Sequence, residues 1–534
     1  MTIEMRRRLG RALAVVLLAL TAALFVTARK IRSLAADPPG EKDCGPDPAS
    51  GGLDDHPNRV AMVTPSPAVP WKQRGGTLND SSCLNRTSVF GVVRVESPDD
   101  VRGALQFARE QHLKVSIAGV RHSQGGQAFA KQAVVLDMTT FNRMRLDESH
   151  KVLTVQSGAR WHDIQSFLHP KLAVKAMQST DIFTVGGSIA VNAHGMDHRA
   201  GSVGDSVRAM RVMLPDGTIE TVSRNENPEL FNLVVGGYGL FGIILDADLD
   251  VVDNAIYQSD RRILRYTEFP EVFSREIDPD PRYALMYAHL STAPQSLLDE
   301  MILYTYRTVE APAATVPPLT DVTSVKLRRA VFNLAKLGGP AMRLKWWAEK
   351  HLEPRLETCD VSRNQALSAA ESCFVSRNEP MHDSVSYLKN SLPAETDILH
   401  EYYVPRDRFV SFVDGMREIM VRRDATLLNA SIRIVHQEHN ALNYAPTEMF
   451  AVVLYLNQKT DRTGTERMTA LTRDLIDLTI REGGRFFLPY QLHYTPEQLE
   501  RAYPEVRAFF DAKKRYDPDL LLTNTFFEKY SRMN

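Results

Sequence analysis

Short apolar runs separated by polar, glycine-bearing turns set the pattern of residues 86–255. Lys114–Ala118, Ala133–Met138 and Val152–Gln156 are rich enough in Val, Ile and Leu to predict buried strands. Between them the period changes. Ser97-Pro98-Asp99-Asp100 predicts a helix start: Ser97 caps, Pro98 suits the first helical position, and the acids favour the positive helix end. Val101, Leu105 and Ala108 then share one face. Gly158-Ala159-Arg160-Trp161 opens a second helix that runs to about Leu168. Val207–Leu214 and Ile219–Val222, joined by Pro215-Asp216-Gly217-Thr218, predict a hairpin. A short helix over Glu229–Val235 and a strand ending near Val252 follow. Farther on, residues 427–456 predict two strands around a turn. Strands and short helices therefore alternate through this region.

The N-terminus breaks this pattern. Arg6, Arg7, Arg8 and Arg11 precede seventeen residues without a charge, Ala12–Ala28, and Arg29, Lys30 and Arg32 follow. That length is at the lower limit for a membrane span, and the layout also describes a secretory signal. With no strong small-x-small cleavage site before Arg29, residues 1–32 predict an uncleaved anchor in preference to a removed signal. The expected location is therefore a membrane-anchored protein with an extracytoplasmic catalytic part, secretion being the alternative. Residues 33–85, rich in Pro, Gly, Asp and Ser, are expected to be a linker.

A chain of 534 residues implies two or three domains. A net charge of -1 gives no general attraction to nucleic acid, and no nucleic-acid partner is expected. Cys44, Cys83, Cys359 and Cys373 suit two disulfides outside the cytoplasm, or four unrelated thiols. No Cys or His cluster has metal-site spacing, so no metal is expected.

Candidate chemistry lies in three glycine-dense segments. Val115–Phe129 (VSIAGVRHSQGGQAF) runs from a strand into a turn that carries Arg121, His122 and Ser123. A glycine turn lets backbone N–H groups approach an anion closely. Thr180–Asp205 (TDIFTVGGSIAVNAHGMDHRAGSVGD) is small and polar, as if something large lies against its backbone. Gly236–Ile244 (GGYGLFGII) leads into the next strand. Three such segments within one region are more informative than any one of them.

The order and spacing of GxxHS at Gly119–Ser123, the GQAF after it, TVGGSIAVNAHG, the PDG hairpin and GLFGII resemble the FAD domain of the vanillyl-alcohol oxidase / p-cresol methylhydroxylase flavoproteins, closest to their sugar-lactone and alditol oxidases. The resemblance implies a PCMH-type FAD-binding domain over residues 86–255, an α+β cap over 256–480 and a segment over 481–534 returning to the FAD domain. It implies that Ala118, Gly119, Val120, Arg121, His122 and Ser123 cradle the FAD pyrophosphate. It also implies a covalent bond from His122 to the flavin, for which a neutral imidazole is a suitable nucleophile. Gly186, Gly187, Ser188, Asn192 and His194 match the run along the flavin, Gly242 and Ile243 match backbone contacts, and Asn524 in the tail matches a position near it.

Two departures fall on substrate-facing positions. The oxidases carry Glu-x-Arg where this chain has Ser431-Ile432-Arg433, and GGR…HWxK where it has Gly483–Tyr490, with Tyr490 at the lysine position. Arg433 is expected to stabilise negative charge and Tyr490 to orient a hydroxyl or accept a proton. Residues 326–350 hold seven Lys/Arg against one acid, Glu349, interleaved with Trp346 and Trp347. This stretch suits either an anionic membrane surface or a pair of cap helices with a solvated basic face. The expected function is FAD-dependent oxidation of a small-molecule alcohol by hydride transfer to flavin N5, with oxygen or an electron carrier as acceptor. A dehydrogenase feeding a quinone and a non-catalytic flavin-binding protein remain the alternatives.

Overall fold

A computed structural model describes residues 69–309, 316–322, 325–351, 373–385, 388, 390, 392 and 394–532, together with 29 and 32–36. The helix Pro98–Glu110 begins at a reciprocal Ser97–Asp100 capping box and buries Val101, Ala104, Leu105, Phe107 and Ala108. That face packs on a small sheet in which Gly91–Arg94, Val134–Asp137 and Val115–Ala118 run parallel, with Trp71–Arg74 antiparallel at the edge. The C-terminal tail extends the same sheet, because Val115 N–H donates to Leu521 and Thr523 N–H donates back to Val115, each at 2.8 Å.

The second sheet is antiparallel and has the long strand Ile243–Asp253 near its centre. It contains the predicted hairpin, Val207–Met213 with Ile219–Ser223. The helix from Gly158 starts later than its sequence suggests, at Trp161, because Gly158 is pressed against Met138. A Cβ there would lie 1.8 Å from the Met138 carbonyl oxygen, so the position must remain glycine.

The third sheet has eight antiparallel strands, in the order Cys373–Ser376, Ile256–Arg265, Glu300–Val309, Tyr283–Leu290, Thr426–Val435, Met449–Lys459, Glu395–Pro405 and Arg485–Phe486. Its far face carries the helices Phe409–Arg422 and Arg462–Arg481. Its near face is the floor of a large cavity.

Among the described residues no helix is long and apolar enough to cross a membrane. This corrects the expected membrane anchoring; the apolar run 12–28 on which it rested lies outside the described residues. The basic stretch is likewise a pair of cap helices, Val325–Ala335 and Gly339–His351. Two of its lysines are paired within the fold. Lys336 pairs with Asp397 at 2.5 Å, both buried, and Lys345 pairs with Glu349 at 2.5 Å. Trp346 is buried and donates to Glu300 at 2.8 Å. Trp347 and Leu344 on the same helix remain exposed. Cys83 is disulfide-bonded, as the even cysteine count allowed.

Candidate functional site

One cavity of about 1680 Å³ runs between the first two sheets and the third. A pocket for one drug-sized ligand is roughly 300–1,000 Å³, so this space suits a large cofactor and a substrate together. Residues Ala118 to Ser123 lie on its wall, with Gly186, Gly187 and Gly242.

The glycines bring these segments together. A Cβ on Gly119 would lie 2.1 Å from Thr184 Oγ1, one on Gly186 2.6 Å from Ser157 Cβ, and one on Gly242 2.4 Å from Val212 Cγ1. A side chain on Gly119 would force its loop off Thr184, the residue before the helix Val185–Ala190. Arg121 has a left-handed φ of 60°, which turns the chain and leaves His122 beside Phe183, ring centroids 5.3 Å apart. The loop is tied down beyond His122. Gln124 N–H donates to Pro489 at 2.8 Å, and Gly126 N–H donates to the buried Asp80 carboxylate at 2.9 Å. Burial pushes the Asp80 carboxyl up to about 6, against the pull of its hydrogen bonds.

Four residues expected at the cofactor do not line the cavity. Ser188 is buried between Trp161 Nε1, at 2.8 Å, and Gln178 Oε1, at 2.5 Å. Asn192, at φ 49°, accepts from Gly204 N–H and donates to Glu438. Ile243 is fully buried in the core behind the wall. Asn524 caps the last helix by accepting from Phe527 N–H at 3.0 Å, and donates to Tyr238. Each supports the wall from behind.

A buried polar cluster also lines the cavity. His194 Nε2 lies 2.5 Å from Glu401 Oε1, and Tyr490 O–H donates to Glu401 Oε2 at 3.2 Å. With Nε2–H donating to Glu401, His194 Nδ1 is a buried lone pair with no hydrogen-bond partner among the described residues. Burial, with Glu401 next, holds the Tyr490 phenol well above its ordinary range. Arg433 donates from Nε to Ser179 Oγ at 3.0 Å and stacks over Tyr287 at 5.1 Å. No carboxylate forms a salt bridge with it among the described residues, and burial lowers its guanidinium to about 10. Nearby His289 is pushed down to about 3, by burial first and then by the Arg433 and Lys345 charges, so it is neutral.

Sequence reasoning missed Glu401, and sheet register explains its place. Glu401 pairs with Val453, Val453 pairs with Ser431, and Ser431 pairs with His289. These four form one row across four adjacent strands, and all line the cavity. Where the lactone and alditol oxidases resemble this chain but carry a glutamate, it has Ser431; a carboxylate instead stands two strands along the same row. Two strand spacings are about 9.6 Å. The acid is present, entering from the direction of Tyr490.

Fold and cavity together define a flavoprotein with a split cofactor wall and a sheet-floored second compartment. Residues 90–223 match the family model described as the FAD binding domain, so this part of the chain is similar to the FAD-binding domains of flavoprotein oxidoreductases. Its relatives include decaprenylphosphoryl-β-D-ribose oxidase of Mycolicibacterium smegmatis, 31% identical over 31% of this chain and 37% of that protein. Cytokinin dehydrogenase 2 of Arabidopsis thaliana is 32% identical over 36% of this chain and 39% of its own length. L-gulonolactone oxidase of Mus musculus is 30% identical over 29% of this chain and 36% of its own. The matches thus span between about 30% and 40% of these relatives, in each case less than half of the protein.

Proposed function

We propose that this protein is an FAD-dependent oxidoreductase that removes a hydride from a carbon bearing a hydroxyl group. The observation that carries the reading is one cavity lined both by the glycine segments and by the Glu401–Tyr490–His194 cluster with Arg433. The residues fit FAD: three glycines let their segments pack tightly while lining the cavity, and the buried His194 Nδ1 awaits a partner. FAD, when bound, supplies the two-electron acceptor at N5.

The chain's own groups do the rest. Glu401 accepts the substrate hydroxyl proton, a task for a carboxylate held within hydrogen-bond reach. Tyr490 and His194 hold both of its oxygens and so fix its direction. Arg433 offers a buried positive charge to oxygen as negative charge develops there, where low dielectric strengthens the interaction. Tyr287, Tyr304, Tyr306 and Phe332 give the substrate compartment aromatic walls, which favour a substrate with an apolar or ring-faced portion over a small free polyol. Relatives that oxidise a lipid-linked ribose or a sugar lactone are consistent with a CH–OH donor. His122 is proposed as the covalent tether, on the strength of its place in the cradle loop.

The test is anaerobic mixing of the flavin-loaded protein with a panel of sugar lactones, glycosides and hydrophobic alcohols. At least one should bleach the flavin absorbance, and readmitted oxygen or a quinone should restore it. A fully oxidised spectrum with every compound would defeat the CH–OH reading.

A further inference from the structure

We propose that His162, His382 and Asp321 bind one divalent transition-metal ion of the Zn²⁺ class at the cavity wall. One ligand atom from each lies within 4.8 Å of the others. They come from distant parts of the chain: the helix Trp161–Leu168, the segment after the turn Glu379–Met381, and the stretch 316–322.

The two imidazoles are already oriented. Their rings stack 4.6 Å apart at 18°. Asp181 Oδ2 faces Nδ1 of both, at 2.9 Å from His162 and 3.3 Å from His382. Gln165 fixes the tautomer of His382. Its amide donates to the Asn378 carbonyl at 3.1 Å, so its oxygen is the end that meets His382 Nδ1 at 2.9 Å, and Nδ1 must carry the proton. The lone pair is then on Nε2, which faces Asp321 Oδ1 at 3.5 Å. That separation is long for a hydrogen bond, and close to the roughly 3.3 Å between two ligands about 2.0–2.1 Å from a tetrahedral ion. A carboxylate behind two imidazoles is the usual outer support of metal-bound histidine.

A second observation points the same way. Asp181 is 1% exposed, and its Oδ1 is buried with no hydrogen-bond partner among the described residues. Asp181 and Asp321 bring two carboxylates to the imidazole pair, a set that suits a dication. Asp321 is held near by its neighbour, since Thr320 Oγ1 donates to Glu379 Oε1 at 2.6 Å. Two histidines and one carboxylate leave a coordination position open. Because His382 and Asp321 line the cavity, that position is available to water or to an oxygen atom of a bound molecule.

The full-length flavin-loaded protein, stripped with EDTA, is titrated with Zn²⁺ by calorimetry and its retained metal counted after dialysis. The wild type should take one Zn²⁺ per chain. Asp321→Asn, at a side chain 84% exposed and therefore safe for folding, should weaken binding roughly tenfold or more, as should His162→Gln, with flavin content unchanged. No saturable uptake, or the same affinity in both variants, would overturn the site and leave the flavin reading untouched.

Discussion

Gly119→Ala is the sharpest perturbation of the cofactor cradle. The new methyl would start 2.1 Å from Thr184 Oγ1, and real Cβ contacts under 3.0 Å are essentially absent, so loop and turn must separate by about 0.9 Å. Overpacking of this kind costs about 1–3 kcal/mol. If the strain falls on the FAD-binding conformation, affinity drops roughly 5- to 150-fold, at 1.4 kcal/mol per factor of ten. The clash is with one atom, which gives the reasoning an internal control. Thr184 precedes the helix Val185–Ala190 but its hydroxyl makes no capping bond, so Thr184→Ala should cost the helix little. It removes Oγ1 and leaves the Thr184 Cβ at 3.3 Å, a contact the neighbours can absorb. FAD affinity, measured by fluorescence quenching on deflavinated protein, should fall in Gly119→Ala and recover most of the loss in the double variant. If the tether at His122 prevents removal of FAD, the same comparison is made on the flavin content of freshly expressed protein. Normal flavin loading in Gly119→Ala, or a double variant as poor as the single one, would refute the close approach as the reason for glycine.

Glu401→Gln keeps the shape of the acid and removes its basicity, so flavin content should hold while the rate of flavin reduction falls by about 10²–10⁴ in stopped flow. Arg433→Met should lower that rate by about 10²–10³ if it serves charge developing on oxygen, and far less if it only packs against Tyr287. Glu438 sets a pH dependence of stability. Burial raises its carboxyl from 4.5 to about 8, so the folded state binds the extra proton, and its contribution is complete below pH 4.5 and lost as pH rises through about 8. Thermal melts should therefore show Glu438→Gln holding its Tm across that window while the wild type declines.

The cradle was legible because it is local. Glycine density around Gly119, Gly186 and Gly242, and the helix start at Ser97, are properties of contiguous residues, and the structure places the first three on one wall. Ser188, Asn192 and Ile243 sit within or beside the same motifs yet face away, because a motif fixes a segment and not the direction of each side chain. Glu401 had no local signal. It belongs to Glu395–Pro405, whose other members, such as Tyr402 and Tyr403, look like core, and only the 401–453–431 register reveals it. The His162–His382 pair is invisible for the same reason, being separated by most of a domain in sequence. The basic stretch left two readings open because net charge and tryptophan content do not say which partners are inside: Lys336 and Trp346 find Asp397 and Glu300 within the fold.

The account rests on flavin in the cavity, and flavin can be counted. The purified chain, reconstituted with FAD if colourless, is freed of unbound cofactor, and half is denatured in acid and passed over a sizing column. The native half should carry one FAD per chain. In the acid half flavin should travel with the wild-type polypeptide and be released from His122→Ala. Release from both would remove the covalent bond and leave the binding site standing. No bound flavin in the native protein, even after reconstitution, would contradict the account at its centre.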